Sequence, residues 1–411
     1  MFQNQNRKEL KKMEEKKNKN FKKIIIGIIA TVVMTGILVC FAIAYNNIKN
    51  NNQSNTTISN NSSNASMENK GTTAKTSSNT ENSKVVNITS GGSYDLSGEY
   101  GSISVNTNEE VTINLNGVVI ANSNGPGINI EKAKKVTIVL VGTNKIVSTT
   151  TEDLDGAIYS KADLVISGTG SLEIQSNFDG IVSKDTLVIQ GGTYNIITDD
   201  DGIRGKDSVE ISDGSFTINA GGDGIKASND EDTALGYVTI TGGTYNITAK
   251  SDGVQGITKA TISGGTFNIT AEEGIEATYV KIDNGTINIS ATDDGINASK
   301  KSNVSTPTVE INGGNITIKM GQGDTDAIDS NGNIYVNGGT INITGNSAFD
   351  YDGTAEKKGG TIIVNGTETN TITNQMMGGG MMRGNPGEMQ NSREQMNQND
   401  RMQMNGGKRG L

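Results

Sequence analysis

Between Asp199 and Ser299 the sequence returns five times to an acidic residue, a glycine and an aliphatic residue: DDDGIRGK, GGDGIKAS, KSDGVQGI, AEEGIEAT and TDDGINAS. Each triplet closes a unit of one plan. VEISDGSFTINAGGDGIKAS (209–228), ATISGGTFNITAEEGIEAT (260–278) and VKIDNGTINISATDDGINAS (280–299) all read as an alternating strand, a Gly-containing bend, a second alternating strand, an acidic turn and a short third strand. The bends fall at Gly192, Gly214, Gly243, Gly265, Gly285, Gly314, Gly339 and Gly360, about 21–22 residues apart except where NDEDTALG (229–236) and KSNVSTPT (301–308) are inserted. Strict alternation buries one face of a strand, and the density of Gly, Thr and Asn excludes helices. Tandem units of this size cannot bury their apolar faces alone and must stack. The spacing therefore predicts an all-β chain, a parallel β-helix of about ten coils.

Parity then assigns the interior. Val209, Ile211, Phe216, Ile218, Ile225 and Ala227 point inward, and Tyr194, Phe216, Tyr245, Phe267, Ile287, Ile316, Ile341 and Ile362 occupy one internal column. Tyr194 and Tyr245 are thereby core residues and not sugar-stacking platforms. VTINLNGVVI and VTIVLVGTNKI read as less regular amino-terminal coils.

Composition divides the rest. Residues 1–23 are a basic segment expected in the cytoplasm, and residues 24–45, IIIGIIATVVMTGILVCFAIAY, form an uncharged run long enough to span a bilayer. The lysines before it place the amino terminus inside the cell, so the repeats are exported. The run reads as a transmembrane signal anchor, giving a single-pass protein of the cell membrane; the alternative is a cleaved signal peptide ending near Ala42-Ile43-Ala44 and a secreted product. Residues 46–84 read as a disordered Asn/Ser/Thr linker, 85–373 as the repeat domain and 374–411 as a disordered Met/Gly/Asn-rich tail. Cys40 is the only cysteine and lies in the apolar run, so disulfides do not staple the repeats. Within 85–373 acidic residues outnumber Lys and Arg roughly two to one, which argues against nucleic acid as a partner.

Stacking brings the acids of the turns together. Asp155, Asp179, Asp201, Asp223, Asp252, Glu273 and Asp294 each precede a glycine; Asp326 precedes Ala327, and FDYDG supplies Asp350 and Asp352 in the last coil. Asp199, Asp200 and Asp293 crowd the same edge. The glycine is expected to supply a left-handed φ at a tight bend. Asp-Gly is ordinary turn chemistry, yet carboxylates about 5 Å apart repel by roughly 0.8 kcal/mol in water and about 3 kcal/mol at an effective dielectric near 20. Such a column either stays solvated or holds a cation. Clustered hard oxygens suit Ca²⁺, and the chain has no His for zinc or copper. Arg204, the only arginine between residues 85 and 373, lies beside Asp199–Asp201, with Lys226 near by. Either cation is a candidate base for lyase chemistry on a uronate, or simply a partner for the surrounding acid.

The repeated GGTYNIT…DGI units resemble bacterial, clostridial-type carbohydrate-binding domain proteins with a polysaccharide-lyase-like β-helix, over roughly residues 85–373. The resemblance implies a right-handed helix, calcium along one side at the aspartates of the DG turns, and binding of cellulose or acidic polysaccharide. It transfers no catalytic arginine. Three functional classes follow: a cell-surface carbohydrate-binding protein with calcium-assisted recognition of plant-type or uronate-containing polysaccharide, a calcium-dependent pectate-like lyase using Arg204 or Lys226, and a structural or adhesive β-helix. The outward parity of Thr193, Asn195, Thr244, Asn246, Thr248, Thr266, Asn268 and Thr270 makes a flat Thr/Asn face that fits the third class.

Overall fold

The computed structural model describes residues 84–321 and 325–375, together with the backbone of Lys75–Ser78. The basic segment, the apolar run 24–45 and the Met-rich stretch from 376 onward lie outside the described residues. Among the described residues all regular structure is β, and no helix is long and apolar enough to cross a membrane.

The strands form two sheets of 13 and 23 strands. Nearly every pairing is parallel and joins a strand to its counterpart one repeat later. Thr193–Thr198 pairs with Ser215–Ala220, Ser215–Ala220 with Thr244–Ala249, and Thr244–Ala249 with Thr266–Ala271. The 13-stranded sheet collects the short third strands: Asp179–Ser183, Ile203–Gly205, Ile225–Ala227, Asp252–Gly256, Glu273–Ala277, Ile296–Ala298 and Asp326–Ser330 follow one another. Twelve of its strands run parallel, and Lys75–Ser78 joins antiparallel, so the stack is longer than the ten or so coils expected. This coil-upon-coil register is that of a β-helix.

Inward parity holds throughout. Val209, Ile211, Phe216, Ile218, Ile225 and Ala227 are buried, as is the whole column from Tyr194 to Ile362. Tyr194, Phe216, Tyr245 and Phe267 stack face to face, with centroids 4.7, 4.9 and 4.4 Å apart. That spacing is the strand separation itself, because each ring rides on its own coil. The two tyrosine hydroxyls donate to the carbonyls of Gly191 and Gly242, so no buried polar atom in the stack is left unmatched.

The two classes of glycine do different work. All eight bend glycines have left-handed φ, from 72° at Gly360 to 136° at Gly214. The glycines of the acidic turns do not, which corrects the expected reason for them. Their backbone is ordinary; they are small because the next coil is close. A Cβ on Gly202 would sit 2.7 Å from the Gly224 carbonyl oxygen and 2.6 Å from Ile218 Cγ2.

Part of each end of the stack is covered among the described residues. Lys75–Ser78, within the stretch read as linker, folds back antiparallel on Lys84–Ile88. At the other end Thr361–Val364 and Thr367–Thr369 form an antiparallel hairpin, the Gln375 amide donates to the Phe349 carbonyl at 2.8 Å, and Asn374 Nδ2 donates to the Tyr351 carbonyl at 2.7 Å.

Candidate functional site

The third strands bring the acidic turns to one edge of the coil stack. Asp252 lies opposite Glu273 and Asp326 opposite Ser347, while the pairs Ile181–Ile203, Ile203–Ile225, Ile275–Ile296 and Ile296–Ile328 fix the same register for Asp179, Asp201, Asp223 and Asp294. Two expected members fall elsewhere. Asp155 is one residue out of step, because Gly156 is the residue opposite Asp179. In the last coil Ser347 takes the acidic position; Asp350 lies opposite Asp329 in a neighbouring row, and Asp352 is exposed beyond it. Asp199, Asp200 and Asp293 are exposed beside the column.

The carboxylates have a structural task that spacing alone did not reveal. Asp179 Oδ1 accepts the Asp201 amide at 3.0 Å, Asp201 Oδ1 the Asp223 amide at 2.8 Å, Asp223 Oδ1 the Asp252 amide at 2.8 Å, and Asp294 Oδ1 the Asp326 amide at 3.2 Å. Each aspartate thus satisfies a backbone donor of the next coil through one oxygen. The other oxygen remains for a cation.

A second row, missed at the sequence level, decides which cation. The third strands carry, in register, Val182, Arg204, Lys226, Gln255, Glu276, Asn297, Asp329 and Asp350. The row was legible as the residue after each DG-aliphatic triplet, but its meaning depends on the acid it faces. Arg204 Nε donates to Asp179 Oδ2 at 2.7 Å, its terminal nitrogen pairs with Asp155, and Asp201 lies 3.6 Å away. Lys226 Nζ lies 2.6 Å from Asp223 and 3.4 Å from Asp201, and Lys184 reaches Asp155 at 3.1 Å. The amino-terminal half of the edge is therefore neutralised from within. Contact with Asp179 and Asp155 pushes Arg204 up against the cost of burial, and Asp201 and Asp223 do the same for Lys226. That direction is wrong for a general base, which must shed its proton near neutral pH.

Beyond Lys226 the row turns neutral and then acidic. Glu276 is held by Lys301 and by the Ser299 hydroxyl at 2.7 Å. Around it lie two groups whose carboxylate oxygens come within 4.8 Å of one another: Asp252 with Glu273 and Glu276, and Glu273 with Asp293 and Asp294. A third such group, Asp179 with Asp200 and Asp201, overlaps the Arg204 contacts. Asn297, buried among these acids, donates from Nδ2 to Glu273 Oε2 at 3.2 Å, and its Oδ1 has no hydrogen-bond partner. An orphaned buried carbonyl oxygen beside carboxylates is a set of hard donors that fits Ca²⁺.

Burial, followed by repulsion from Asp223 and Glu276, pushes the Asp252 carboxyl up to about 9. Burial and then Glu276 raise Glu273 to about 8, and burial with Asp329 raises Asp294 to about 7. Asp329 rises to about 7 through burial, Asp350 and Asp326. Unfolded, these groups titrate near pH 4, so the folded chain holds extra protons between about pH 4 and about pH 9. Their contribution to stability is complete below the unfolded value and is lost as pH rises through the folded ones. In chelator, the urea midpoint should fall steadily between about pH 5 and about pH 9. A midpoint that stayed level or rose over that interval would contradict this account of the edge.

The model of the family described as carbohydrate-binding domain-containing protein matches residues 81–325 and 272–410. A protein of the same description from Acetivibrio thermocellus is 34% identical over 122 residues, which are 26% of this chain and 43% of that relative. The chain thus covers less than half the length of that curated relative. A solved structure described as the polysaccharide lyase-like protein from C. thermocellum, gadolinium derivative, shares 35% identity at a TM-score of 0.45, covering 50% of this chain and 87% of that one. With the family model matched over well more than half of its length, the chain belongs to the carbohydrate-binding domain-containing proteins.

Proposed function

We propose that the protein is a surface-displayed carbohydrate-binding protein built on a right-handed parallel β-helix, exported and held at the membrane through residues 24–45. Calcium settles in the carboxy-terminal half of the acidic edge and assists recognition of uronate-containing polysaccharide. The observation that carries the reading is the imbalance along that edge: Arg204 and Lys226 occupy the first half, whereas Glu273, Asp293 and Asp294 converge beside the unpartnered Asn297 Oδ1 in the second. Those residues would hold the ion; bound there, it supplies positive charge able to bridge protein and glycan carboxylates. The chain's own part is to keep the donors stacked and half-dry. Asp179, Asp201 and Asp223 stay with their internal cations.

Two measurements on the full chain test this. A calcium concentration about a hundredfold above Kd should add about 2.7 kcal/mol of stability at neutral pH, read as a rise in Tm that EDTA reverses. Binding to polygalacturonate in affinity electrophoresis should depend on the same ion. Indifference of both Tm and polygalacturonate binding to EDTA would remove calcium from the reading, and failure to retain any polysaccharide would remove carbohydrate.

A further inference from the structure

We propose that the outward face of the second strands is a self-association surface, on which two copies of this chain pair face to face with their coils in opposite order. From Thr193–Thr198 to Thr340–Thr344, seven successive coils each present three outward positions, held in register by parallel pairing. In the middle column Asn268 is flanked by Asn246 and Asn288, then by Thr217 and Thr317, then by Asn195 and Asn342. That column reads the same in both directions. The first column nearly does: around Thr266 come Thr244 with Thr286, Ser215 with Asn315, and Thr193 with Thr340. In the third, Thr270 lies between Thr248 and Ser290, with Asn219 and Lys319 one coil further out.

A face that reads alike in both directions is what a two-fold interface requires. With the axis along Thr266–Ala271, each residue on one side of the centre meets its counterpart in the other copy, and the converse contact follows by symmetry. Down the middle column Asn then meets Asn and Thr meets Thr, groups that can both donate and accept. Lys319 of one copy meets the amide of Asn219 of the other, so no like charges are opposed. Composition agrees. The chain is 19% charged, yet Lys319 is the one charged residue in the three columns, whose members are all exposed except the half-buried Thr317. Depletion of charge is the mark of an interface core, and here it stops abruptly: the two preceding coils carry Lys145 and Glu173 in the middle column. Area agrees as well. Seven coils about 4.8 Å apart and five residues of about 3.3 Å each give a face of roughly 550 Å². Two such faces together reach the roughly 1,000 Å² of a specific interface. The amides are also preset, since Asn268 Nδ2 donates to Asn246 Oδ1 and Asn288 Nδ2 to Asn268 Oδ1, each at 3.0 Å. Side chains already held in a ladder lose little freedom on pairing.

The pairing is independent of glycan binding, and cross-linking of the full chain tests it. Cys40 is the only cysteine, so a Cys40→Ser background accepts single cysteines along the middle column, which are then reacted with a short bismaleimide. Facing sheets stand about 10 Å apart, which brings two copies of Asn268→Cys within reach, whereas two copies of Asn195→Cys lie about 30 Å apart. Cross-linked dimer should therefore be about tenfold or more abundant for Asn268→Cys than for Asn195→Cys or Asn342→Cys alone, because a linker that cannot span its sites does nothing. Mixing the Asn195→Cys and Asn342→Cys chains should restore a cross-link that neither forms by itself. Asn268→Asp sets two carboxylates against each other on the axis and should cut the yield at Thr270→Cys about tenfold. Circular dichroism confirms that each variant folds; if Asn268→Cys does not, Thr266→Cys lies on the same axis and is read the same way. A yield level along the column, as association through residues 24–45 alone would give, overturns the proposal. So does a folded Asn268→Cys chain that forms no cross-link.

Discussion

Gly253→Val should destabilise the domain by about 3 kcal/mol, with Gly253→Ala costing nearer 1 kcal/mol, as expected for forcing atoms into a close-packed interior. A Cβ at Gly253 would stand 2.4 Å from Ile269 Cγ2 and 2.6 Å from the Gly274 carbonyl oxygen. Neither can retreat easily, because Ile269 is buried in the core and Gly274 belongs to the backbone of the next coil. Stability is then lost through volume and not through torsional strain, since Gly253 has no left-handed φ. Ala157, Ala327 and Ala348 fill the same position in an early coil and in the last two, so the requirement tightens only in the middle. Urea unfolding checks the prediction; a Val variant with the midpoint of the wild type would contradict the packing argument.

Arg204→Ala should cost about 3–5 kcal/mol, the range for leaving one partner of a buried ion pair without the other. Asp179 is 1% exposed and would face Asp155 and Asp201 with no cation in contact. Lysine should rescue only part, since a single ammonium cannot reproduce the fork that serves Asp179 and Asp155 together. The deficit has a pH signature. Burial already raises Asp179 to about 7 with the guanidinium present; without it the folded value climbs further, so the lost stability returns as pH falls and the carboxyl takes up a proton. Denaturation at about pH 5 and about pH 8 separates this from simple loss of packing, which would cost the same at both. A deficit below about 1 kcal/mol would mean water reaches Asp179 after all.

Alternation and repeat length made the architecture readable because a β-helix imposes the same period on every coil. Phe216 and Ile225 had to be inside once one strand of one unit was phased, and the registers agree. The amino-terminal coils were harder. Glu110–Asn122 runs on as one 13-residue strand, so its bend leaves no interruption in the pattern. Asp155 fell out of step because nothing in TEDLDG announces a one-residue slip. At the site, the acidic column could be read from the DG turns, but its two halves could not: that distinction depends on Arg204 and Lys226 reaching sideways to acids from neighbouring coils. The glycines were misjudged for a related reason. A positive φ and a missing Cβ leave the same letter in the sequence, and only the distance to the next coil tells them apart.

The covers at either end of the stack bear on what the protein does in company. A β-helix ends in unpaired backbone donors and acceptors, and a bare terminal coil is a template onto which another molecule's first coil can add. Here the Lys75–Ser78 strand runs antiparallel to its neighbour, while Asn374 and Gln375 cap the opposite end. Among the described residues, neither of these added segments offers a parallel edge to a further coil, which disfavours growth of the stack at the two strands they cover.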